Sequence, residues 1–350
     1  MKLQIHNRPG PVVLLMAAAA ALLWCLASAS GAAAWIALPF ALFYSLLAAL
    51  CVWAWHRTSR LELQVDWSAA ERLLILAPHE DDCVISAGGV GARNLALGGA
   101  TRVLYLAPDE APGMAERRAA EARAAWQLAG IGADDVRSLD LLPRLRQRDP
   151  QRLRAAATAL RAEIDAFAPT VIVAPMFEGG HVHHDMTVSL LDQIVTDRDE
   201  FRTYEAPEYT PLASLHWTPH RVLTLCARWL GLVSYYGPPD GIDGRKVFVF
   251  RLSAAELALK KRMLACFVSQ NAPSLVATRS YPDRLVTWQR DPGRRTAFRL
   301  EGSYLGFVLA ARRVLPAALV DRLLPVQRGT IGREDRLTDW QEEWRLGDRA

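Results

Sequence analysis

The chain has 350 residues, 51% of them hydrophobic, which is enough for one large α/β domain with appended segments. Its formal net charge is only +4 and no run of five or more basic residues occurs, so the composition argues against a nucleic-acid partner. The five cysteines are scattered without CxxC spacing, which indicates neither a disulfide framework nor a cysteine zinc site and favours a reducing compartment.

The first sixty residues predict a membrane anchor. No charged side chain occurs from Pro11 to Trp55, and a single helix of that length would measure about 65 Å, roughly twice the thickness of a hydrocarbon core. We therefore expect two transmembrane helices, at about residues 11–28 and 35–55, separated by a stretch of small and polar residues at 27–31. Residues 1–60 would form this anchor.

Positive charges on either side of the two apolar segments predict their orientation. Lys2 and Arg8 precede them, Arg57 and Arg60 follow them, and the connecting turn carries no positive charge. Both ends should therefore face the cytoplasm, which predicts a protein of the inner, cytoplasmic membrane whose globular part faces the cytoplasm. Alternatively, residues 1–29 form a cleaved signal peptide, and the second segment alone returns the chain to the cytoplasm.

From residue 61 the pattern becomes that of an α/β domain. After a polar linker at residues 62–70, short apolar runs alternate with amphipathic stretches, which is typical of βα units. We expect a Rossmann-like, mostly parallel sheet with helices on both faces, preceded by the transmembrane helical hairpin. The predicted strands are Leu73–Ala77, Thr101–Leu106 and Thr170–Pro175, and the predicted helices are Ile85–Leu97, Met114–Leu128 and Gln151–Phe167.

Beyond Phe201 the pattern changes to shorter elements, with a predicted strand at Lys246–Arg251 and a predicted helix at Ala254–Ser269. The globular domain would cover residues 61–305. Residues 306–350 would form a C-terminal segment with a highly charged tail. Within it, Leu305–Val326 predicts an amphipathic helix that lies on the bilayer or packs against the core.

Two polar clusters each follow a predicted strand. His79-Glu80-Asp81-Asp82 follows the first strand, and His181-Val182-His183-His184-Asp185 follows the third. Because ligands bind beyond the carboxyl ends of the strands in an open parallel sheet, the clusters can converge on one site. Two imidazoles and a carboxylate are typical of a hydrolytic zinc site, and ferrous iron suits the same donors. Alternatively, the aspartates cap a helix and the histidines are ordinary surface residues.

The motifs Leu76-Ala77-Pro78-His79-Glu80-Asp81-Asp82 and Gly180-His181-Val182-His183-His184-Asp185 resemble those of the PIG-L/LmbE-like de-N-acetylases. That family has His-Pro-Asp-Asp after one strand and His-x-x-His after a later one. A looser resemblance runs through residues 117–121 and 261–270, so it covers roughly residues 73–301. The resemblance implies that His79, Asp82 and His184 bind zinc, that Asp81 is the general base, and that His181 assists at the oxyanion.

Three positions depart from the family pattern. Glu80 replaces the usual proline, and Cys83 stands where an acidic residue commonly follows the aspartate pair. Cys83 could alternatively offer a thiolate to the metal. The loop at residues 107–110 differs from the family's small Thr/Gly turn and would face the substrate, which makes Asp109 a candidate substrate contact.

Two further side chains near the motifs have more than one interpretation. Arg118 is a second candidate substrate contact, although an i,i+3 helix pair with Glu121 explains it equally well. Asp185 is expected to orient a histidine rather than to bind the metal itself.

The resemblance implies a zinc-dependent hydrolase in which residues 61–305 form a metal-dependent deacetylase domain acting on an N-acetylglucosamine-type amino sugar. The anchor favours a lipid-linked substrate, because an enzyme held at the bilayer gains most when its substrate is confined there. The expected partners are an amino sugar or glycolipid and the bilayer, and the oligomeric state is not predicted. The alternatives are a metal-dependent phosphoesterase, because His184-Asp185 resembles the His-Asp pair of a helical phosphohydrolase family, and a catalytically silent membrane scaffold.

Overall fold

The computed structural model describes residues 9–28, 31–107, 112–142, 150–176, 182–206 and 247–290, together with residues 315, 316, 318 and 319. Apart from those last four positions, the predicted helix Leu305–Val326 and the charged tail lie outside the described residues. The chain divides into two compact units. One contains residues 1–62, 210–244 and 299–326, and the other contains residues 63–209, 245–298 and 327–350.

Two apolar helices form the described N-terminal part of the first unit. α1 spans Pro9–Ala27 and α2 spans Ala32–Leu61, so one helix ends and the next begins at the predicted stretch of small residues. Within α2, the segment Ala32–Ala49 is long and apolar enough to cross a membrane. The apolar part of α1, Val13–Ala27, is shorter. Among the described residues, one helix rather than two therefore meets the length and composition of a span, and a signal sequence can meet the same test.

The two apolar helices pack against each other and leave apolar side chains on their outer surface. Trp24 Nε1 donates to Ser45 Oγ at 3.0 Å, so the indole of α1 has a partner on α2. Trp35 is 79% exposed and Leu14 is 72% exposed. Large apolar side chains exposed in this number are typical of a surface that contacts another apolar phase or protein.

The second unit is built on an eight-stranded mixed sheet. In space the strands follow the order β1-β7-β8-β6-β5-β2-β3-β4. The strands β4, β3, β2, β5 and β6 run parallel, whereas β8 is antiparallel to both β6 and β7. The expected parallel sheet therefore carries an antiparallel extension. The strands are β1 Glu62–Val65, β2 Arg72–Ala77, β3 Ala100–Tyr105, β4 Val136–Ser138, β5 Val171–Pro175, β6 Arg202–Ala206, β7 Val247–Phe250 and β8 Arg284–Thr287.

The helices of this unit follow the predicted pattern closely up to residue 167. The prediction for Ala254–Ser269 is wrong at its end, because the helix stops at Leu264 and the chain continues into a 3₁₀ turn at Val268–Gln270. The helices are α3 Asp82–Ala96, α4 Ala115–Gln127, α5 Pro150–Phe167, α6 Val182–Ile194, α7 Ala254–Leu264 and α8 Ala272–Arg279.

Helices cover both faces of the sheet, as expected. Leu73 and Ile75 pack into one core with side chains of α3 and α4, including Trp126. Leu74 and Leu76 point to the opposite face and pack into a second core with α5 and α6. Complete burial of each such aliphatic side chain stabilises the fold by roughly 1.5–3 kcal/mol. β2 is therefore apolar without interruption from Leu73 to Ala77, because both of its faces are covered there.

The order of the strands creates a crevice between β2 and β5. From β2 the chain passes through α3 to β3 and then through α4 to β4, both on one side of β2. α5 returns it to β5 on the other side of β2, and α6 leads from there outward to β6. The connections that follow β2 and β5 therefore leave in opposite directions, which opens a crevice at the carboxyl ends of the two strands. The two polar clusters of the sequence follow these two strands.

A buried ion pair forms hydrogen bonds to the backbone at a break in α3. Ala87 has non-helical dihedrals, φ −140° and ψ 17°, so α3 consists of two short helical segments. Lys260 Nζ, completely buried, donates to the carbonyl of Ile85 at 2.9 Å and pairs with Asp283. Asp283 Oδ2 accepts the N–H of Val90 at 2.6 Å. The pair therefore satisfies the backbone groups that the break would otherwise leave without partners.

Candidate metal centre

The first polar cluster occupies the turn between β2 and α3. Asp81 stands at the N-cap position of α3, but its side chain makes no capping hydrogen bond. The Asp82 carboxylate turns back over the loop instead, and its Oδ2 accepts the backbone N–H of His79 at 3.0 Å. Asp81 is thereby left available for contacts outside the helix end.

His79, Asp82 and His184 meet at this crevice. His79 Nδ1 lies 3.0 Å from Asp82 Oδ2, and His184 Nε2 lies 3.2 Å from the same oxygen. One ligand atom from each of the three residues lies within 4.8 Å of the other two. The strand-ending positions of the two clusters thus bring two imidazoles and a carboxylate together from parts of the chain about one hundred residues apart.

The charges of Asp82 and His79 depend on each other. Burial disfavours the charged carboxylate of Asp82, but the His184 and His79 side chains outweigh burial and hold the pKa of Asp82 well below its usual value. Burial likewise works against a charged His79, yet its hydrogen bond with Asp82 raises the pKa of that imidazole. The Asp82 carboxylate is therefore the negative centre of the group.

These residues fit a divalent metal ion. Two imidazole nitrogens and one carboxylate oxygen are the donor set of hydrolytic zinc sites, in which a further position stays open for water or substrate. The same donors suit ferrous iron, so the chemistry of the group does not choose between the two ions. The side chains of His184 and Asp82 are only 7% and 10% exposed, which protects such an ion from bulk solvent.

His183 belongs to the same cluster, although the sequence motif gave it no role. It is 1% exposed and lies in the first turn of α6 beside His184. Its Nδ1 lies 3.0 Å from His79 Nε2. Because a hydrogen bond to one ring nitrogen sets the orientation of an imidazole, His183 helps to orient His79.

Asp81 lies beside the ligand group and contacts a residue far away in the sequence. Gln270 Nε2 donates to Asp81 Oδ1 at 2.6 Å. Burial and, secondly, the nearby charge of Asp82 raise the pKa of Asp81 to about 7, while His79 opposes this shift. A carboxyl group with a pKa near neutrality can both accept and release a proton at physiological pH.

Cys83 points into the core and is poorly suited to bind a metal. Its Sγ lies 2.8 Å from Tyr105 Oη, accepts the indole N–H of Trp126 at 3.2 Å and donates to the carbonyl of Glu80 at 3.1 Å. Burial raises the pKa of the Cys83 thiol, so the thiolate that a metal requires is disfavoured. Within the described chain, the group of potential ligands contains His79, Asp82 and His184 without Cys83.

Two of the predicted site residues, His181 and Asp109, lie outside the described residues. Arg118 lies partly buried on α4. Its neighbour Arg117 pairs with Glu121 at 3.3 Å, so the ion pair that the structure records at Glu121 is an i,i+4 pair. Asp185 lies within α6, one residue after His184.

The motifs did not identify Gln270, Ser269 or Glu121 as residues of the site. Glu121 accepts the backbone N–H and the hydroxyl of Ser269, and Ser269 precedes Gln270. The looser resemblance over residues 117–121 and 261–270 was the one signal that these segments belong to the site. It did not indicate that the two segments touch.

The sequence profile of the PIG-L family, described as GlcNAc-PI de-N-acetylase, matches residues 74–195. The chain therefore carries a PIG-L family domain that begins in β2 and ends after α6, and that contains both polar clusters. No curated protein matches the chain.

Several solved structures are similar to part of this chain. A40926 pseudoaglycone deacetylase Dbv21 has 16% sequence identity and a TM-score of 0.46, over 64% of this chain and 98% of that one. N,N'-diacetylchitobiose deacetylase from Pyrococcus horikoshii has 17% identity and a TM-score of 0.32, over 65% and 88%. GalB, the 4-carboxy-2-hydroxymuconate hydratase from Pseudomonas putida KT2440, has 15% identity and a TM-score of 0.37, over 59% and 82%. At such low identities and TM-scores, these likenesses assign neither a reaction nor a substrate to this chain.

Proposed function

We propose that this chain is a membrane-anchored, zinc-dependent amidohydrolase that removes the N-acetyl group from an N-acetylglucosamine-type amino sugar carried by a lipid. The observation that supports the reaction is the meeting of His79, Asp82 and His184 at the crevice between β2 and β5, with Asp81 beside them. The PIG-L family domain contains all four residues.

Each residue of the group has a separate role in the proposed hydrolysis. His79, Asp82 and His184 would hold the metal, which when bound supplies a Lewis acid that acidifies water and polarises an amide carbonyl. Asp81 is outside this donor group, so its carboxylate is free to take a proton from the attacking water. The water oxygen bonds to the acetyl carbon, the carbon–nitrogen bond breaks, and the products are acetate and a free amine.

The developing charges need two further contacts. From the family resemblance we propose that His181 donates to the acetamide oxygen as negative charge develops there. Asp81 or His181 then protonates the departing amine nitrogen. Arg118 and Asp109 are proposed to contact the sugar. These roles rest on the motif and on the chemistry of the side chains.

The lipid part of the proposal comes from the N-terminal helices. α2 contains a segment long and apolar enough to span a membrane, and the charges that flank the two helices favour cytoplasmic ends. We propose residues 1–60 as the anchor of a cytoplasmic-membrane protein, residues 61–305 as the deacetylase domain, and residues 306–350 as a C-terminal segment. Confinement to the bilayer raises the effective concentration of a substrate that is itself held in the bilayer.

Acetate release tests the proposal directly. Purified, detergent-solubilised full chain with zinc is incubated with N-acetylglucosaminyl-phosphatidylinositol or with undecaprenyl-linked N-acetylamino sugars. Wild type should release acetate from at least one of these lipids, and Asp81→Ala and His184→Ala should abolish it. Asp81→Ala should keep the metal, whereas His184→Ala should lose it. Asp134→Ala, which removes an exposed carboxylate, is the matched control and should keep full activity.

The remaining outcomes separate the alternatives. Cleavage of the phosphoester link of these lipids, with the acetamide left intact, would establish a phosphoesterase. A helical phosphohydrolase, however, would place its His-Asp pairs within a helical bundle rather than after parallel strands. No product from any substrate, with one metal bound per chain, would favour the catalytically silent scaffold.

A further inference from the structure

Gln270 lies against the proposed general base. Its Nε2 donates to Asp81 Oδ1 at 2.6 Å, across 189 positions of the sequence. Gln270 is the last residue of the 3₁₀ turn Val268–Gln270 that follows α7, whereas Asp81 belongs to the turn after β2. A residue outside the matched family segment therefore contacts the residue proposed to activate water.

A second carboxylate holds the turn that carries Gln270. The two oxygens of Glu121, on α4, lie 3.0 and 3.2 Å from the backbone nitrogen of Ser269, which donates to them. The hydroxyl of Ser269 also donates to Glu121, at 2.6 Å. Hydrogen bonds to a charged acceptor are stronger than those between neutral groups, and the Glu121 side chain is only 12% exposed. The turn is therefore fixed at the residue directly before Gln270.

The carbonyl oxygen of the Gln270 side-chain amide differs from its nitrogen. Its Oε1 is buried and, among the described residues, has no hydrogen-bond partner. A glutamine that served only the stability of the fold would pair this oxygen, because a buried acceptor without a partner is unfavourable. Within the part of the chain that the structure describes, the side-chain amide of Gln270 is therefore held by the N–H that it donates to Asp81.

We propose that Gln270 is a positioning residue for Asp81, and that Glu121 acts through Ser269 to hold Gln270 in place. A general base must keep one carboxylate oxygen within hydrogen-bond reach of the water that it deprotonates. The N–H of Gln270 occupies Oδ1, fixes the plane of the carboxylate, and leaves Oδ2 to take the proton. This inference rests on the proposed function, because it concerns the base of that reaction.

The first test removes the donor and keeps the shape. Gln270→Met retains the length and approximate volume of the side chain without its N–H groups. In the detergent-solubilised, zinc-loaded full chain, we expect kcat for acetate release to fall about 10- to 100-fold, with KM changed less than about twofold and one metal still bound. A kcat within about twofold of wild type, or a loss confined to KM, would overturn the inference.

Double variants separate positioning from direct contact with the substrate. In an Asp81→Ala background, Gln270→Met should lower the residual rate no further, because the group that it orients is gone. Glu121→Ala should cost about tenfold alone and nothing more when combined with Gln270→Met. Glu121→Gln, which keeps an acceptor for Ser269, should retain most of the wild-type kcat. If the fold-losses in kcat of Glu121→Ala and Gln270→Met multiplied in the double variant, Glu121 would not act through Gln270.

Arg117→Ala is the matched control for Glu121. Arg117 pairs with Glu121 at 3.3 Å, and its side chain is 54% exposed. Removing it keeps the hydrogen bonds from Ser269, so kcat should stay unchanged. If Arg117→Ala instead reproduced the loss seen in Glu121→Ala, the ion pair rather than the turn would be responsible, which would overturn the role assigned to Glu121.

The side-chain amide of Gln270 provides a readout that needs no substrate. In glutamine-labelled protein studied by NMR, the Gln270 signal can be assigned by its loss in Gln270→Met. It should shift in both Asp81→Ala and Glu121→Ala and stay in place in Arg117→Ala. Acetate release without these shifts would overturn the inference alone. Absence of acetate release by wild type would overturn the proposed function, and the catalytic part of this inference with it.

Discussion

The Asp82 carboxylate is the residue on which the candidate metal centre depends most. Its Oδ2 lies within 3.2 Å of a ring nitrogen from each of two histidines and also accepts the backbone N–H of His79. One oxygen therefore joins the turn after β2 to the first turn of α6. A neutral amide at this position would remove the negative charge that a divalent cation requires and would put an N–H donor among the imidazoles.

We expect Asp82→Asn to lower the affinity for zinc by at least about 100-fold, which is the upper range for losing a residue that only supports a ligand. Metal analysis of the purified protein and a competition titration with a chromogenic chelator measure this change. Asp134→Ala should bind zinc like wild type. Retention of one tightly bound zinc by Asp82→Asn would show that the metal uses other ligands.

At the scale of residues, the two strand-ending clusters predicted a common site, and the family resemblance implied which three side chains would form its ligand group. His79, Asp82 and His184 come together because β2 and β5 are neighbours whose carboxyl ends share one edge of the sheet. The contact of Gln270 with Asp81 could not be predicted in the same way. It depends on where a short turn after α7 packs, and no periodicity in the sequence records such a long-range contact.

Among the elements, α3 depends on packing that lies far away in the sequence. Its first segment carries Asp82 and its second segment starts after the break at Ala87. Lys260 and Asp283 satisfy the backbone groups at this break. A buried ion pair normally adds little net stability, but this pair also replaces hydrogen bonds that the helix itself has lost.

Lys260→Met should destabilise the domain by about 3–5 kcal/mol, because it leaves the buried Asp283 carboxylate without its cation. Unlike an ordinary buried pair, the double variant Lys260→Met/Asp283→Leu should not regain this stability, because Val90 would lose the acceptor of its N–H. Urea unfolding followed by circular dichroism measures both. Lys261→Met, on the exposed neighbour, should unfold like wild type. Full recovery in the double variant would show that the break needs no partner.

Glu256 joins α7 to α3 and makes stability depend on pH. Its Oε1 accepts from Arg93 Nε at 2.6 Å, and it completes a capping box with Ser253 at the start of α7. The hydrogen bond from Arg93 is the largest of the causes that lower the pKa of Glu256 from 4.5 to about 2. A lowered pKa in the folded state means that the stabilisation is complete above the unfolded pKa and is lost as pH falls from 4.5 towards 2.

Glu256→Gln should therefore lower the free energy of unfolding by about 1–2 kcal/mol at pH 7, through the weakened cap and the lost charge. The difference from wild type should shrink as the pH falls below 4.5. Unfolding titrations at a series of pH values measure the two curves. Glu116→Gln, exposed on α4, should show no such difference at any pH. A gap between Glu256→Gln and wild type that is independent of pH would contradict the assigned ion pair.

At the scale of elements, length decided what could be predicted. β2, β3 and β5 and the helices α4 and α5 were predicted to within one residue at every end, because apolar periodicity marks them. β1 was interpreted as a polar linker and β4 was not predicted, because strands of four and three residues have too few positions to show an alternation. The antiparallel pairing of β8 could not be predicted, because strand order depends on tertiary packing.

For the whole molecule, the proposed anchor predicts where the protein is found in the cell. The full chain should remain with the membrane after alkaline carbonate extraction. In α2, Leu42 and Leu46 are 54% and 59% exposed, and an arginine near the centre of a span costs roughly 2.5–3.5 kcal/mol. Leu42→Arg/Leu46→Arg should therefore shift protein to the soluble fraction. Leu97→Arg, on a leucine exposed at the end of α3, should leave the distribution unchanged. Extraction of wild type by carbonate would contradict the anchor.

The organisation of the globular unit was predicted in its parallel part and not in its extension. Alternating strands and helices predicted the doubly wound core around β2. The strands after residue 246 add an antiparallel edge to that core. A strand was predicted at Lys246–Arg251, which covers β7, but none was predicted at β8. Nothing in the composition of either strand determined which neighbours it would join.

The buried pair across the break in α3 also determines when the surroundings of the site are completed during synthesis. His79, Asp82 and His184 leave the ribosome well before Lys260, Gln270 and Asp283, which complete the break in α3 and the contact to Asp81. A nascent chain that ends after α6 therefore carries every proposed metal ligand while α3 still lacks its partners. The helix that carries Asp82 therefore gains the partners of its break only after residue 283 has been synthesised.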